Sequence, residues 1–325
     1  MSASAGDARW MAAAIALSLR GRGRTAPNPN VGCVIVKDGA VIGRGWTASG
    51  GRPHAEAVAL EQAGPEARGA TIHVTLEPCA HESTRGPACA GLVAKAGPAR
   101  VVIAAIDPDP RTNGRGIARL RAAGIAVATG VLAAQAHEAM SGFFTRRMFK
   151  RPHVTLKLAL SLDGCIAMAD GASRWITGEA ARAHAHVERA MADAILVGRG
   201  TFDADAPKLD VRLPGLEDRA PRRIVLTNGD APPGWAGLRQ PEDVAALENV
   251  DHLLVEGGAT AAEAFLARDL VDRLLIYRAP IIIGGGRPGI AGVGLQDLAD
   301  AHGRWRQVDQ RRLGIDTLDV YVRTR

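Results

Sequence analysis

The sequence predicts an α/β protein of two domains, and three observations carry that expectation. A chain of 325 residues with 47% hydrophobic side chains exceeds one ordinary domain and holds enough apolar surface for two cores. Aromatic residues make up only 4% of it while glycine occurs 38 times, which suits tight turns between strands and helices better than an all-β module or a disordered chain. Along most of the chain, apolar runs of strand length alternate with helical stretches, the pattern of a layered α/β architecture.

Taken in order, the apolar stretch 10–19 follows Asp7 and precedes Arg20, Arg22 and Arg24, so it reads as a first docking helix and not as a leader peptide. Runs 31–36 and 40–45 flank Asp38 and Gly39, a pair suited to a tight hairpin. A helix over 54–63 stops before Gly64 and Pro65, a strand follows at 71–76, and a helix over 90–96 is closed by Gly97. A buried strand at 101–106, a helix around 116–122 and a strand at 125–128 complete a first unit expected to end near residue 140. The basic segment 141–152 ends in Pro152 and reads as a connector, with the divide between domains set at 145/146. Strands at 154–159, 194–197, 223–227, 252–255 and 274–278 then alternate with helical stretches to give a second α/β domain. There is no solenoid repeat and no low-complexity tract.

The first 150 residues carry 18 Lys+Arg against 10 Asp+Glu, whereas the remainder carries 22 against 24. A basic first half suits a phosphorylated small substrate or RNA, and a merely solvated Arg-rich surface would look the same. Cys33, Cys79, Cys89 and Cys165 are too sparse for a disulfide framework. Reduced thiols and a cytoplasmic location are therefore expected, and no run approaches the roughly 20 apolar residues that span a bilayer.

The strongest chemical pattern is His54 with Glu56, followed by Cys79 and Cys89. One imidazole and two thiolates suit zinc, and three protein ligands leave its fourth tetrahedral position open to water. The pKa of such a water falls to about 7, and a nearby carboxylate can move protons from nucleophile to leaving group. Taken singly, each residue has a plainer explanation, a buried thiol or a structural histidine. Spacing alone leaves open whether Glu56 is a ligand or a proton carrier, and whether His73 or His81 replaces one cysteine. Cys33 and Cys165 read as packing residues. His184 and His186, two apart on a helix and so roughly 200° around it, read as surface residues, and Trp235 and Trp305 carry no clear site.

The run His54, Ala55, Glu56, then Glu77, Pro78, Cys79, then Cys89 resembles the cytidine-deaminase-like superfamily. The resemblance implies that His54, Cys79 and Cys89 bind one zinc ion per chain and that Glu56 is the catalytic acid/base. The cysteines of that superfamily are commonly separated by two intervening residues, whereas here the longer stretch 80–88 intervenes, as in the branch found in riboflavin biosynthesis. The stretch 27–33, with Pro27, Asn28, Pro29 and Asn30, resembles the same branch. The loop is one residue longer than its commonest version, which bears on the contacts of His81 and Arg85.

Resemblance to the bifunctional riboflavin deaminase/reductase family extends over nearly the whole chain through 157–164, 173–177, 201–212 and Glu256, Gly257, Gly258. It implies a cytidine-deaminase-like three-layer domain at 1–145 followed by a dihydrofolate-reductase-like domain at 146–325. The implied chemistry is sequential: deamination of a diaminopyrimidinone ribosyl phosphate, then hydride transfer from NADPH that converts ribosyl to ribityl. The implied cofactor-binding residues are Ala159, Trp175, Thr201, Asp205, Thr227, Gly258, Ala259 and Thr260. The implied substrate-binding residues are Ser173, Arg189, Leu209, Arg212 and Glu256. Ala206 and Cys165 depart from the family, where an acidic and a basic residue are common.

Physically, Gly257 and Gly258 lie between a strand and a helical stretch, where backbone amides suit a cofactor phosphate, although such a turn is more often a tight connection. Gly284, Gly285 and Gly286 are equally ambiguous. Two arginines offer the bidentate donors that phosphate favours, against the plainer reading of surface ion pairs. Arg199 is the candidate for a cofactor 2′-phosphate. Lys157, Asp163, Asp205 or solvent supplies the proton in the reduction. Phosphorylated pyrimidines are the expected partners, with no nucleic acid and no membrane, and a homodimer is compatible with the resemblance. The alternatives are a tRNA or nucleobase deaminase with an accessory domain and a non-catalytic nucleotide-binding regulator.

Overall fold

The computed structural model describes residues 5–82 and 84–325, and the chain divides into two units, Met1–Lys150 and Arg151–Arg325. The first unit runs α1 (Ala5–Ser18), β1 (Gly32–Lys37), β2 (Ala40–Trp46), α2 (Ala55–Ala63), β3 (Thr71–Leu76), α3 (Cys89–Ala96), β4 (Arg100–Ala105), α4 (Arg115–Ala122), β5 (Ala126–Thr129), α5 (Ala133–Ala139) and α6 (Ser141–Phe149). Its strands form one sheet in the order β2-β1-β3-β4-β5. The hairpin expected at Asp38 and Gly39 forms, both residues taking positive φ (49° and 77°) as a turn that matches strand twist requires. β3, β4 and β5 run parallel, so each crossover needs a helix, and α3 and α4 pack together as those crossovers beside α2. α1 and α5 contact one another and the sheet, giving the three-layer arrangement. The core between layers is aliphatic, with Ile35, Ile72, Val74, Val101, Val102 and Ile103 all buried.

A buried polar tie joins α1 to the sheet. Asp7 accepts two hydrogen bonds from the Arg100 guanidinium at 2.8 and 2.9 Å and lies 3.2 Å from Nε2 of His73. His73 is thereby committed to α1 and is no metal ligand.

The segment 141–152 corrects the expectation of a connector. Residues 141–149 form α6, with Phe143 and Phe144 buried in the first core, so residues 146–149 continue the first unit. The basic residues on the helix surface masked its apolar side, which is only two aromatic residues wide.

The second unit runs β6 (His153–Leu160), β7 (Cys165–Ala167), α7 (Glu179–Ala190), β8 (Ala194–Gly198), α8 (Arg199–Asp205), β9 (Arg222–Leu226), β10 (Ala236–Leu238), β11 (His252–Val255), α9 (Ala259–Ala267), β12 (Arg273–Arg278), β13 (Arg287–Pro288), β14 (Trp305–Leu313) and β15 (Asp316–Arg323). An eight-stranded sheet has the order β10-β9-β8-β11-β6-β12-β15-β14, and β13 pairs with β7 separately. The strands from β10 to β12 are parallel, β15 runs antiparallel to β12, and β14 pairs antiparallel to β15 as the edge of a hairpin. The central strands are continuous apolar runs because both faces are covered. Arg151 and Asp272 close the start of this unit through a buried two-bond ion pair, and the same carboxylate accepts from the Val154 amide. Among the described residues, no helix is long and apolar enough to cross a membrane.

Candidate active sites

In the first unit, His54 precedes α2 with extended backbone, so its ring is carried at the helix N-terminus while Glu56 sits in the first turn. Cys89 opens α3 and Cys79 ends the segment after β3. The three ligand atoms converge: Nδ1 of His54 lies 3.2 Å from Cys89 Sγ and 3.7 Å from Cys79 Sγ, and all of them fall within 4.8 Å of one another. The Cys89 amide donates to Cys79 Sγ at 3.2 Å. The neighbouring Cys89 thiol above all, with His54 and that amide hydrogen bond, holds the Cys79 thiol low against burial, while the partnership with Cys79 and burial push Cys89 up. A cation bound between the two sulfurs would favour the thiolate form of both.

Glu56 is 3% exposed. Burial pushes its carboxyl above the usual range, with His54 opposing and Cys79 adding to the shift. The donor set, one imidazole nitrogen and two sulfurs with a buried carboxyl beside them, fits a catalytic zinc ion with an open position.

The walls of this centre include residues to which the sequence motifs assigned no role. Asn28 Nδ2 lies 3.3 Å from His54 Nε2 and donates to the Gly51 carbonyl. Glu77 accepts from the amides of Gly114, Ile117 and Asp107 at 3.0, 3.2 and 3.4 Å. That carboxylate caps α4, whose own N-cap is a glycine without a side chain, and ties the loop 107–114 to the segment carrying Cys79. A Cβ on Gly116 would stand 2.1 Å from the Pro78 carbonyl, so this close approach requires glycine. Thr112 of the loop lies 3.3 Å from Nδ1 of His81, which places His81 beside the ligand cluster and not in it. Burial raises Asp107 to about 6, while Arg111 above all holds Asp109 well below the carboxylate range. The only advance signal for Glu77 was its place beside Pro78 and Cys79.

In the second unit, every residue implied for cofactor or substrate borders a single cavity of about 1110 Å³. These are Ala159, Trp175, Thr201, Asp205, Thr227, Gly258, Ala259 and Thr260 on one account and Ser173, Arg189, Leu209, Arg212 and Glu256 on the other. The Gly258 amide donates to Thr201 Oγ1 at 3.2 Å, joining the start of α9 to α8. A Cβ on Gly257 would meet that of Ala261 at 2.5 Å, so the turn into α9 is tight. Asp205 receives Arg174 at 3.1 Å, and Trp175 is exposed with the Arg182 guanidinium over its ring.

Arg189 and Glu256 form a fork-to-fork pair at 2.6 and 2.8 Å, with Lys157 3.8 Å from the same carboxylate. Burial opposes ionisation of Glu256, but Lys157 and Arg189 hold it down to about 2. The Arg189 fork is therefore turned onto Glu256, and Arg212, more exposed on the loop after α8, is the freer cation. Lys157 borders the cavity, whereas Asp163 accepts the amides of Ile283 and Gly284 in a neighbouring loop. Arg199 borders the cavity but pairs with Asp203 at 2.8 Å.

His186 is buried and His184 only partly exposed, against the expectation of two surface residues. His184 Nδ1 lies 2.7 Å from the hydroxyl of buried Tyr277, and His186 is 9% exposed against the loop carrying Arg212. The loop 206–216 and strand β12 cover α7 at these two positions, which helical spacing alone does not reveal. Cys33 and Cys165 are buried free thiols, and Trp235 packs edge-on against Phe202.

Comparison with known proteins gives these sites a context. Residues 4–105 match the model of the cytidine and deoxycytidylate deaminase zinc-binding region, and residues 152–236 and 241–318 match the RibD C-terminal domain. The chain is 40% identical over 344 residues to the riboflavin biosynthesis protein RibD of Escherichia coli, covering 91% of this chain and 94% of that protein. It is 41% identical to RibD of Mycobacterium tuberculosis, with 95% of each covered. Among solved structures, Acinetobacter baumannii RibD superposes with a TM-score of 0.88 at 37% identity, covering 98% of this chain and 99% of that one. A diaminohydroxyphosphoribosylaminopyrimidine deaminase/5-amino-6-(5-phosphoribosylamino)uracil reductase from Thermotoga maritima gives 0.87 at 33%, with the same coverage. The first unit has the cytidine-deaminase-like fold and the second the dihydrofolate-reductase-like fold of these proteins.

Proposed function

The chain belongs to the RibD family, bifunctional enzymes of riboflavin biosynthesis with a zinc-binding deaminase domain and a reductase domain, and from that premise we propose the substrates and residue roles that follow. The first unit deaminates 2,5-diamino-6-(5-phosphoribosylamino)pyrimidin-4(3H)-one, and the second reduces 5-amino-6-(5-phosphoribosylamino)uracil with NADPH. The observation that carries this reading is the double convergence: His54, Cys79 and Cys89 beside Glu56 in one unit, and thirteen separately implied residues around one cavity in the other.

His54, Cys79 and Cys89 would hold the zinc ion, which when bound supplies Lewis acidity that brings the pKa of a coordinated water to about 7. Glu56, fixed in the first turn of α2, takes the proton from the attacking water and delivers it to the departing ammonia nitrogen. Burial keeps bulk water from competing for that transfer. Glu77 and Thr112 keep the wall beside Cys79 in place.

The nicotinamide cofactor, when bound, supplies the hydride that reaches C1′ of the sugar. Gly258, Ala259 and Thr260 present the first amides of α9 to its phosphates, with Thr201 holding that turn, while Ala159, Trp175, Asp205 and Thr227 border the remainder. Arg212 and Ser173 take the substrate phosphate, with Leu209 packed behind. Glu256 holds Arg189 and Lys157 in place, and Lys157 is the proton source at the sugar oxygen. A tRNA or nucleobase deaminase with an accessory domain is not favoured, because the second unit is a RibD C-terminal domain. A cytoplasmic setting suits a centre whose thiols stay reduced.

The test is a paired assay on zinc-quantified protein, with ammonia release from the diaminopyrimidinone and NADPH oxidation with its deaminated product, for wild type and Glu56→Ala. Deamination falls by about 10²- to 10⁴-fold in the variant, with zinc content and reduction intact. Absence of both activities from zinc-loaded wild type would overturn the substrate assignment.

A further inference from the structure

Arg212 does not stand alone at the cavity wall. The loop 206–216 wraps the ring of His186, which projects from α7: Nδ1 lies 3.1 Å from the Asp210 carbonyl oxygen and 3.3 Å from the Arg212 amide nitrogen, and Nε2 lies 3.3 Å from Nη2 of Arg212. The two contacts at Nδ1 demand opposite tautomers, because the carbonyl needs an N–H there and the amide needs a lone pair. The guanidinium decides between them. It has only N–H groups to offer, so Nε2 must present its lone pair, and the ring proton resides on Nδ1 and is donated to Asp210.

On its other side, Nε of Arg212 lies 3.7 Å from Oδ1 of Asp210. The guanidinium thus lies between a neutral imidazole and a carboxylate. The charged groups around the ring are Arg189 on α7, Asp210 and Arg212 on the loop, and Glu256 after β11 with Lys157 on β6 beyond it. Burial, then Arg189 and Arg212, lower the imidazole below its ordinary range, with Asp210 and Glu256 opposing. A protonated ring would turn an N–H toward Arg212 and release it.

We propose that His186 is the positioning residue of the reductase phosphate subsite, its neutral ring aiming Arg212 at the substrate phosphate through an Nε2 acceptor. This rests on the reading of Arg212 as a phosphate contact. Nothing else assigned to the site requires a histidine at this position, since His186 faces Arg212 and the loop backbone.

The experiment measures KM and kcat of the full-length enzyme for reduction of 5-amino-6-(5-phosphoribosylamino)uracil and of its unphosphorylated riboside, across roughly pH 5 to 8. Wild type is compared with His186→Leu, His186→Gln and Arg212→Ala. His186→Leu, which lacks an acceptor, raises KM for the phosphorylated substrate about tenfold with kcat little changed, and leaves the riboside unaffected. His186→Gln places a non-titrating acceptor near Nε2. It restores KM at neutral pH and removes the part of the acid-side KM rise that exceeds titration of the phosphate itself. If Arg212→Ala raises KM while both His186 variants keep wild-type KM and pH dependence, the positioning role is overturned and the phosphate reading stands. If Arg212→Ala leaves KM unchanged, the phosphate reading itself falls.

Discussion

The two sites are built on opposite plans. In the first unit the chemistry is concentrated: His54 and Cys89 are 35 residues apart in sequence, and with Cys79 they bring three ligand atoms within 4.8 Å. In the second unit it is distributed, with residues from Ala159 to Thr260 spread around a cavity of about 1110 Å³. A metal centre fails when one ligand is lost, because coordination and charge are indivisible there. A cavity that, on the proposed reading, grips a large cofactor and a phosphorylated sugar would divide its affinity among many contacts, so single changes would grade its function.

Zinc removal is the sharpest way to break that comparison. Chelation, or Cys79→Ser, lowers deamination by more than about 10²-fold, since even partners outside the ligand set contribute 10- to 100-fold. Reduction stays within about twofold, and added zinc restores the chelated protein. Parallel loss of both activities in metal-free protein would show that the two plans are not independent.

Glu256 gives the distributed site a concentrated component. Glu256→Gln leaves Arg189 and Lys157 without their carboxylate and lowers stability by about 3 kcal/mol at neutral pH. The sign with pH follows from a carboxyl held at about 2 in the fold against an ordinary 4.5. Its contribution is fully present above pH 4.5 and is lost as pH falls toward 2, so the wild-type and variant curves converge on the acid side. Denaturant unfolding across pH checks this, and curves that remain parallel would remove Glu256 as the keystone of the cluster.

The smallest effect is expected at Arg199. Its exposed pair with Asp203 at one helical turn contributes about 0.3–0.5 kcal/mol, so Arg199→Ala barely changes stability. Comparing NADPH with NADH in that variant isolates any role at a 2′-phosphate. An unchanged preference would leave this arginine as a surface ion pair only.

Elements governed by a few neighbouring residues were legible before the fold was known. The Asp38 and Gly39 turn, the strand at 71–76 and the helix stop at Gly97 follow from local backbone preference, and all three occur. Elements whose stability comes from distant partners were not. β14 carries charged residues such as Arg306, Asp309 and Arg311 along an edge strand, so its sequence has little apolar signal and the strand is defined by its pairing with β15. α6 was hidden because a basic surface outweighs Phe143 and Phe144 in a short segment.

The same division holds within the sites. Residue chemistry, the imidazole with two thiols and a carboxyl, or glycines between a strand and a helix, is determined by the sequence itself, because donor type and backbone freedom belong to individual residues. What only the tertiary structure decided is which groups pair with one another. Arg189 turns onto Glu256, His186 onto Arg212, and Glu77 onto the amides of Asp107, Gly114 and Ile117. Each of those choices depends on sheet order and loop closure across tens of residues, and hydrogen bonds form only where that closure brings donor and acceptor within about 3 Å.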